Sequence, residues 1–182
     1  MKPKLAIVTG NTLKFRELSL KLGEFFDCEQ KQVDGYEIQG KPEDILRHKL
    51  AHAFEVLQEP VLVDDTSVHF SALNGFPGPY IRDFFSAFKP FEMGEKFAGS
   101  RIEVVCRLGL MRGANDVIIG EGRINGDVVK PKVQDDNGRE FDLFVQIDGT
   151  DRPMIEFSAE EKNKFSHRGR ALDDLLHKLS LK

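Results

Sequence analysis

Leu5-Ala6-Ile7-Val8-Thr9-Gly10-Asn11-Thr12-Leu13-Lys14-Phe15 carries three structural instructions in succession. Leu5 to Val8 is a continuous apolar run, the pattern of a short buried strand. Thr9-Gly10-Asn11 breaks that run. Phe15, Leu18 and Leu22 then recur at helical spacing, so a helix follows the turn. Strand, turn and helix in this order open an α/β arrangement.

The same alternation continues downstream. A second strand is expected from Cys28 to Val33. Gly40 and Pro42 punctuate a loop, and Pro42 suits the first turn of a helix. That helix carries Leu46, Leu50, Ala53, Phe54 and Leu57 on one face. Val61-Leu62-Val63 is another buried strand, expected to end in Asp64-Asp65-Thr66. Gly75, Pro77, Gly78 and Pro79 make Asn74 to Pro79 a rigid loop. A helix follows from Tyr80 to Phe88. Arg101 to about Val145 reads as β-structure, with Asn125-Gly126 and Asn137-Gly138 as hairpin turns. Ser158-Ala159-Glu160-Glu161 has the form of a capping box opening a short helix. A last helix bears Leu172, Leu175, Leu176 and Leu179. The expected fold is a single α/β domain over residues 1–182, built on a mixed, twisted sheet with helices at both chain ends. A cleft between lobes is its natural ligand site.

Composition narrows the function. The chain has 182 residues and a formal net charge of −4, with no acidic or basic tail. Duplex nucleic acid calls for a concentrated basic face, and none is apparent. Phe occurs 15 times and Trp not at all, which reads as core filling rather than as a functional signal. Cys28 and Cys106 make neither a disulfide framework nor a zinc knuckle and read as two reduced thiols. Leu5 to Val8 is too short for a signal-peptide core, and no apolar stretch reaches membrane-spanning length. A cytoplasmic location is the expectation, with neither membrane nor nucleic acid as partner.

Four groups of residues carry candidate chemistry. Thr9-Gly10-Asn11 with Lys14 lies between strand and helix, where backbone N–H groups stabilise an anion and glycine permits close approach. Alone, the segment reads more readily as a capped helix with a solvated lysine. Asp64-Asp65-Thr66 follows an apolar strand, where carboxylates reach the crevice of an α/β sheet. Adjacent acids there suit Mg²⁺, and solvated turn chemistry is an equal alternative. Lys162, Lys164, His167, Arg168 and Arg170 form a basic cluster able to clamp phosphates, or a solvated face. Glu37 and Lys49 are a further possible carboxylate and cation, each weak in isolation. Together these pieces spell phosphate chemistry without naming a substrate.

The chain resembles the Ham1/inosine triphosphatase family. Thr9-Gly10-Asn11-Thr12-Leu13-Lys14 resembles its opening Thr-Gly-Asn-x-x-Lys motif. Pro60-Val61-Leu62-Val63-Asp64-Asp65-Thr66 resembles its central acidic motif. Asn74-Gly75-Phe76-Pro77-Gly78-Pro79-Tyr80 matches the loop that follows. Lys162-Asn163-Lys164-Phe165-Ser166-His167-Arg168 resembles its C-terminal signature. The motifs stand in family order over nearly the whole chain.

The resemblance implies two α/β lobes around an elongated mixed central sheet, with helices flanking it and a deep nucleotide cleft. It implies a homodimer that hydrolyses ITP, dITP and XTP to monophosphate and pyrophosphate with Mg²⁺, or Mn²⁺ in its place. Thr9, Gly10, Asn11, Thr12, Leu13 and Lys14 would bind the triphosphate. Asp65 would coordinate the metal and help activate water, with Glu37 as the second metal carboxylate. Lys14 and Lys49 would meet the phosphates, and Thr66 the nucleotide. Lys162, His167 and Arg168 would hold a 6-keto purine. Arg82 stands where some members carry Lys. The family's Gly-Trp/Phe-Asp-Pro segment corresponds here to Glu140-Phe141-Asp142-Leu143. That stretch keeps an aromatic and an acid at the base while losing the glycine and the proline. A 6-keto group alone would not separate guanine from hypoxanthine, so position 2 of the base must also be read. Three other readings compete: a nucleotide sensor without turnover, a pyrophosphatase of the Maf-like group, and a nucleic-acid module.

Overall fold

The computed structural model describes residues 1–35, 37–134 and 140–181. The opening motif folds as its pattern dictates. Strand β1 (Lys4–Val8) leads through Thr9-Gly10-Asn11 into helix α1 (Thr12–Leu22). Asn11 is the N-cap, and its side-chain oxygen accepts from the N–H groups of Leu13 at 2.9 Å and Lys14 at 3.3 Å. Strand β2 (Asp27–Lys31) and helix α2 (Pro42–Leu57) follow, with Pro42 in the first turn of the helix.

Strand β3 (Val61–Phe70) is followed by the short strand β4 (Pro77–Gly78) and helices α3 (Ile81–Ala87) and α4 (Pro90–Phe97). The long strands β5 (Arg101–Gly113) and β6 (Asp116–Val128) form a hairpin, and β7 (Val145–Ile147) lies at its side. Helices α5 (Ala159–Phe165) and α6 (His167–Lys178) close the chain, and Ser158 and Glu161 form the expected capping box.

The sheet is mixed, in the order β2-β1-β3-β5-β6-β7, with β4 also on β3. β1 pairs in parallel with β2 and β3, whereas β3, β5, β6 and β7 pair antiparallel. Alternation along β1 sends its side chains into two different cores. Leu5 and Ile7 pack with Leu18 and Leu22 of α1 and Leu172 and Leu175 of α6. Ala6 packs with Leu46 and Leu50 of α2. A third core gathers Phe70, Val104, Ile124 and Phe144 beyond the parallel strands, with α3 and α4 packed against it. The phenylalanines do serve as filling there: the Phe70 ring centroid lies 5.5 Å from that of Phe97 and 5.9 Å from that of Phe144.

Two features of the fold aim residues at one place. β1 ends at Val8, opposite Val63, while β5 remains paired with β3 from Val61 to Phe70. Asp64 and Asp65 are therefore the first positions of β3 beyond the end of β1. The strand does not stop at these acids as expected, because β5 continues to satisfy its backbone. The other feature is the seat of α6. A side chain at Gly122 of β6 would collide with the backbone of His167 and Ala171, so glycine lets the start of α6 rest directly on the strand.

Asn125-Gly126 is not a hairpin turn. Both residues lie within β6, paired with Glu103 and Ile102, and the hairpin closes instead at Ala114-Asn115. A side chain at Gly126 would strike the backbone of Gln146, so this glycine serves the close approach of β7 rather than a turn. Asn137-Gly138 lies outside the described residues.

Candidate functional site

A cavity of about 460 Å³ opens where β1 gives way to α1, within the size range of small-molecule sites. Thr9, Gly10, Asn11 and Lys14 line it from the β1–α1 turn. Thr12 and Leu13 continue into the helix instead. Glu37 and Lys49 enter from the loop before α2 and from α2 itself, and Asp64, Asp65 and Thr66 from β3. Arg82 from α3 and the pair Glu140 and Phe141 are the other expected residues on its lining, whereas the expected Asp142, Lys162, His167 and Arg168 do not line it. The turn is less open to an anion than its sequence suggests, because Asn11 already holds the Leu13 and Lys14 N–H groups.

Lys49 joins the two expected metal carboxylates. Its Nζ lies 2.6 Å from Asp65 Oδ1 and 2.9 Å from Glu37 Oε1. Arg82 also reaches Glu37, at 3.6 Å. Burial raises the pKa of Asp65, with Asp64 and Glu37 adding to it, and this outweighs the opposing pull of Lys49. Burial also acts upward on Glu37, but Lys49 and Arg82 prevail and hold its pKa low. Burial disfavours the Lys49 ammonium, yet Asp65 and Glu37 overcome this and push its pKa up.

The donor set fits Mg²⁺. Two carboxylates within reach of one ammonium offer hard oxygen ligands, and Mg²⁺ commonly takes one or two such ligands together with substrate phosphates and water. Among the described residues no cluster of three or more His, Cys, Asp or Glu could hold a metal. A site completed by substrate therefore suits these residues better than a protein-only cage.

The adjacent acids do not act as one pair. Strand alternation turns Asp64 away from Asp65. The Asp64 side chain is 2% exposed and receives Lys14 Nζ at 3.0 Å and Arg168 Nε at 2.8 Å. Burial would raise its pKa, but Arg168 and Lys14 prevail and hold it well below the usual carboxylate range. The Cys106 thiol donates to the same carboxylate at 3.3 Å, and burial followed by the Asp64 charge pushes that thiol's pKa well up.

Lys162 and Arg168 of the expected basic clamp do not line the cavity but belong to a buried ion-pair network. Arg168 bridges Asp64 and Glu17, while Lys162 joins Glu17 at 3.2 Å and also pairs with Asp142. Three carboxylates (Glu17, Asp64 and Asp142) thus face three cations (Lys14, Lys162 and Arg168), which removes much of the penalty of burying charge. Lys164 and Arg170 are exposed, and Arg170 donates to the Arg123 carbonyl oxygen at 2.7 Å. The cations that line the cavity are Lys14, Lys49 and Arg82.

His167 is 1% exposed, and neither ring nitrogen has a hydrogen-bond partner among the described residues. Its ring lies edge-on to Phe141 with centroids 5.5 Å apart. Burial, then the charge of Arg168, holds its pKa well below the usual value, so the imidazole is neutral. Thr66 Oγ1 is likewise buried without a partner among the described residues. Unsatisfied polar atoms in a native interior call for an explanation, and those of Thr66 and His167 stand on or behind the cavity wall.

Glu17 escapes the sequence reading. It sits three residues after Lys14 and beside Leu18, so its one signal is an acid within the buried stripe of α1. His48 and His52 also line the cavity on either side of Lys49, and His52 Nε2 lies 2.9 Å from the Asp34 carbonyl oxygen. Their signal is their spacing of four residues, which places them on one helical face.

Residues 5–178 match a family model described as the Ham1 family. An inosine triphosphate pyrophosphatase of Emericella nidulans is 36% identical over 169 residues, covering 91% of this chain and 90% of its own length. An inosine triphosphate pyrophosphatase of Phaeosphaeria nodorum is 32% identical over 182 residues, covering 98% of this chain and 95% of its own. The solved structure of a HAM1 protein from Coxiella burnetii covers 98% of both chains with a TM-score of 0.73 at 21% identity, a likeness of fold.

Proposed function

The chain belongs to the Ham1 family, and on that premise we propose that it hydrolyses the non-standard purine nucleoside triphosphates ITP, dITP and XTP to monophosphate and pyrophosphate, using Mg²⁺ with Mn²⁺ as a substitute. Like the relatives named inosine triphosphate pyrophosphatase, it is a hydrolase of acid anhydrides. Working as a cytoplasmic homodimer, it would remove such nucleotides before they enter DNA and RNA.

The observation that carries this reading is the convergence of Glu37 and Asp65 on Lys49 in a cavity that Lys14 and Arg82 also line. A triphosphate would exchange into these contacts. Lys14 and Lys49 would turn from their carboxylates to the phosphates, stabilising the charge that develops on the leaving pyrophosphate. Asp65, its pKa raised by burial, would accept a proton from the water that attacks the α-phosphorus. Glu37 and Asp65 would hold Mg²⁺, which neutralises phosphate charge and acidifies bound water. Phe141 supplies an aromatic face for the base. The neutral His167 would have to turn out from its buried seat beside Phe141 to offer a ring N–H to a purine 6-keto oxygen. A site built around that donor leaves it unpaired against the 6-amino group of adenine, which is how large discrimination arises.

The test is product analysis by chromatography with Mg²⁺ and either ITP or ATP. IMP and pyrophosphate forming far faster than AMP and pyrophosphate supports both reaction and selectivity. Phosphate in place of pyrophosphate refutes the position of attack. Tight ITP binding without turnover would make the protein a sensor.

A further inference from the structure

Glu37 stands in the connection between β2 and α2, outside every helix and strand, so contacts from other elements place its carboxylate. Two of them are ion pairs, with Lys49 at 2.9 Å and Arg82 at 3.6 Å. Both cations line the cavity, and both pairs compete with the chemistry proposed for it. A triphosphate draws the cations to itself, and a metal takes the carboxylate. A third contact does not compete. His52 lies on α2 three residues beyond Lys49, so the two are neighbours on the helix surface, and both line the cavity. His52 Nε2 lies 2.9 Å from the carbonyl oxygen of Asp34, three residues before Glu37. A carbonyl oxygen only accepts, so Nε2 carries the proton in this bond, whether the ring is neutral or charged. The ring also packs on Gly35, where a Cβ would stand 3.0 Å from His52 Cδ2 and 3.1 Å from Nε2. His52 thus grips the loop by its backbone, and neither contact uses the Glu37 carboxylate.

We propose that His52 is a positioning residue for the metal site, holding Glu37 over the cavity while Lys49 exchanges from carboxylate to phosphate. The role rests on the pyrophosphatase reading above. Lys49 and His52 tie the same loop to the same helix at two points, and substrate breaks only the Lys49 tie. Without His52 the loop would be released at the moment when Glu37 has to meet the metal. The entropy of ordering it would then count against metal binding. Removing an outer partner of a metal ligand commonly costs about 10–100-fold in metal affinity.

The experiment follows Mn²⁺ binding by loss of the free-ion EPR signal, in the presence of the α,β-methylene analogue of ITP, which the reaction cannot cleave, and against a blank of analogue alone. The native chain, His52→Ala, His52→Gln, Glu37→Ala and the double variant of His52→Ala with Glu37→Ala are compared, with thermal melts as a folding control. The Mg²⁺ concentration for half-maximal ITP turnover is measured beside it. His52→Ala should weaken Mn²⁺ binding about tenfold or more and raise the Mg²⁺ midpoint by a similar factor, with a smaller effect on kcat at saturating Mg²⁺. His52→Gln keeps an N–H donor for the Asp34 carbonyl and should recover most of the loss. In the Glu37→Ala background His52→Ala should add little, because the two act through one ligand. Mn²⁺ affinity within twofold of native in His52→Ala would overturn the proposal. So would a glutamine no better than alanine, which would reduce His52 to packing. An equal loss with and without Glu37 would overturn it too, assigning His52 to a direct contact with the nucleotide. In each of these cases turnover of ITP by the native chain leaves the pyrophosphatase reading intact. Absence of pyrophosphate release by the native chain would instead defeat that reading and this proposal with it.

Discussion

Lys49 Nζ lies 2.6 Å from Asp65 Oδ1, tying a helix to the one stretch of β3 that has outrun β1. The contact keeps a partly buried lysine charged and offsets part of what burial does to the aspartate. It also occupies the carboxylate that the proposed reaction needs, so substrate phosphate must draw Lys49 away.

Asp65→Asn keeps the shape of the side chain and removes its proton-accepting oxygen. Turnover of ITP should fall by about 10²-fold or more, in the range that general-base catalysis supplies. A thermal melt close to native would show that the loss is chemical. Full turnover in this variant would remove Asp65 from the mechanism.

The pH profile should carry the same signature. Asp65 must be unprotonated to act, and its pKa is raised. The acid limb of kcat/KM should therefore lie above the ordinary aspartate value of about 3.9. Asp65→Asn should abolish that limb in any residual activity.

Stability should fall on mild acidification because of His167. Its folded pKa lies well below the unfolded value of about 6.5. Between those two values the unfolded chain binds the proton and the folded chain does not, so stability rises with pH there. The loss should begin as pH drops below about 6.5, with a slope of up to about 1.4 kcal/mol per pH unit. Asp64 adds to the loss only below about pH 4, because its folded pKa is depressed and its contribution is complete above the unfolded value. Denaturant melts across pH 4–7 should show the first phase, and His167→Phe should flatten it.

Arg168→Ala leaves Asp64 and Glu17 buried with one cation fewer each. Breaking a buried pair in this way costs about 3–5 kcal/mol. The urea midpoint should drop accordingly. Asp64→Asn should cost less, since a neutral amide replaces the buried charge that would otherwise be stranded.

Gly122→Ala tests how α6 is seated. A methyl group there meets the backbone of His167 and Ala171 rather than a yielding side chain. Overpacking of this kind costs about 1–3 kcal/mol. Displacement of the helix start should also lower ITP kcat/KM, even though Gly122 lies on the strand beneath α6 rather than among the cavity-lining residues.

Several local patterns that a single element decides were legible in the sequence. The apolar run Leu5 to Val8, the spacing of Phe15, Leu18 and Leu22, Pro42 at a helix start and the Ser158–Glu161 box all became the elements expected. Asn125-Gly126 misled because the same dipeptide serves a turn or a close strand approach, and only the position of β7 separates the two. Helix α4 escaped the sequence reading, although Pro90 marks its first turn and its apolar residues fall on one face.

The site was legible as a set of residue types and not as a set of contacts. The residues themselves supplied Lys14, Glu37, Lys49 and the Asp64-Asp65 pair as candidates, because phosphate and metal chemistry restrict which side chains serve, whereas Arg82 and the choice of Asp65 came from the family resemblance. Without that resemblance the residues do not separate Asp64 from Asp65. That depends on which neighbour each meets once alternation sends them apart, and those neighbours come from α1, α2 and α6, far away in the chain. Nor did the sequence reveal that Arg168 and Lys162 are held by Glu17 and Asp142 rather than by solvent. A side chain's charge is written in the sequence, but its burial and partners are properties of packing, and in a low-dielectric interior those decide whether it is paired and which way its pKa moves.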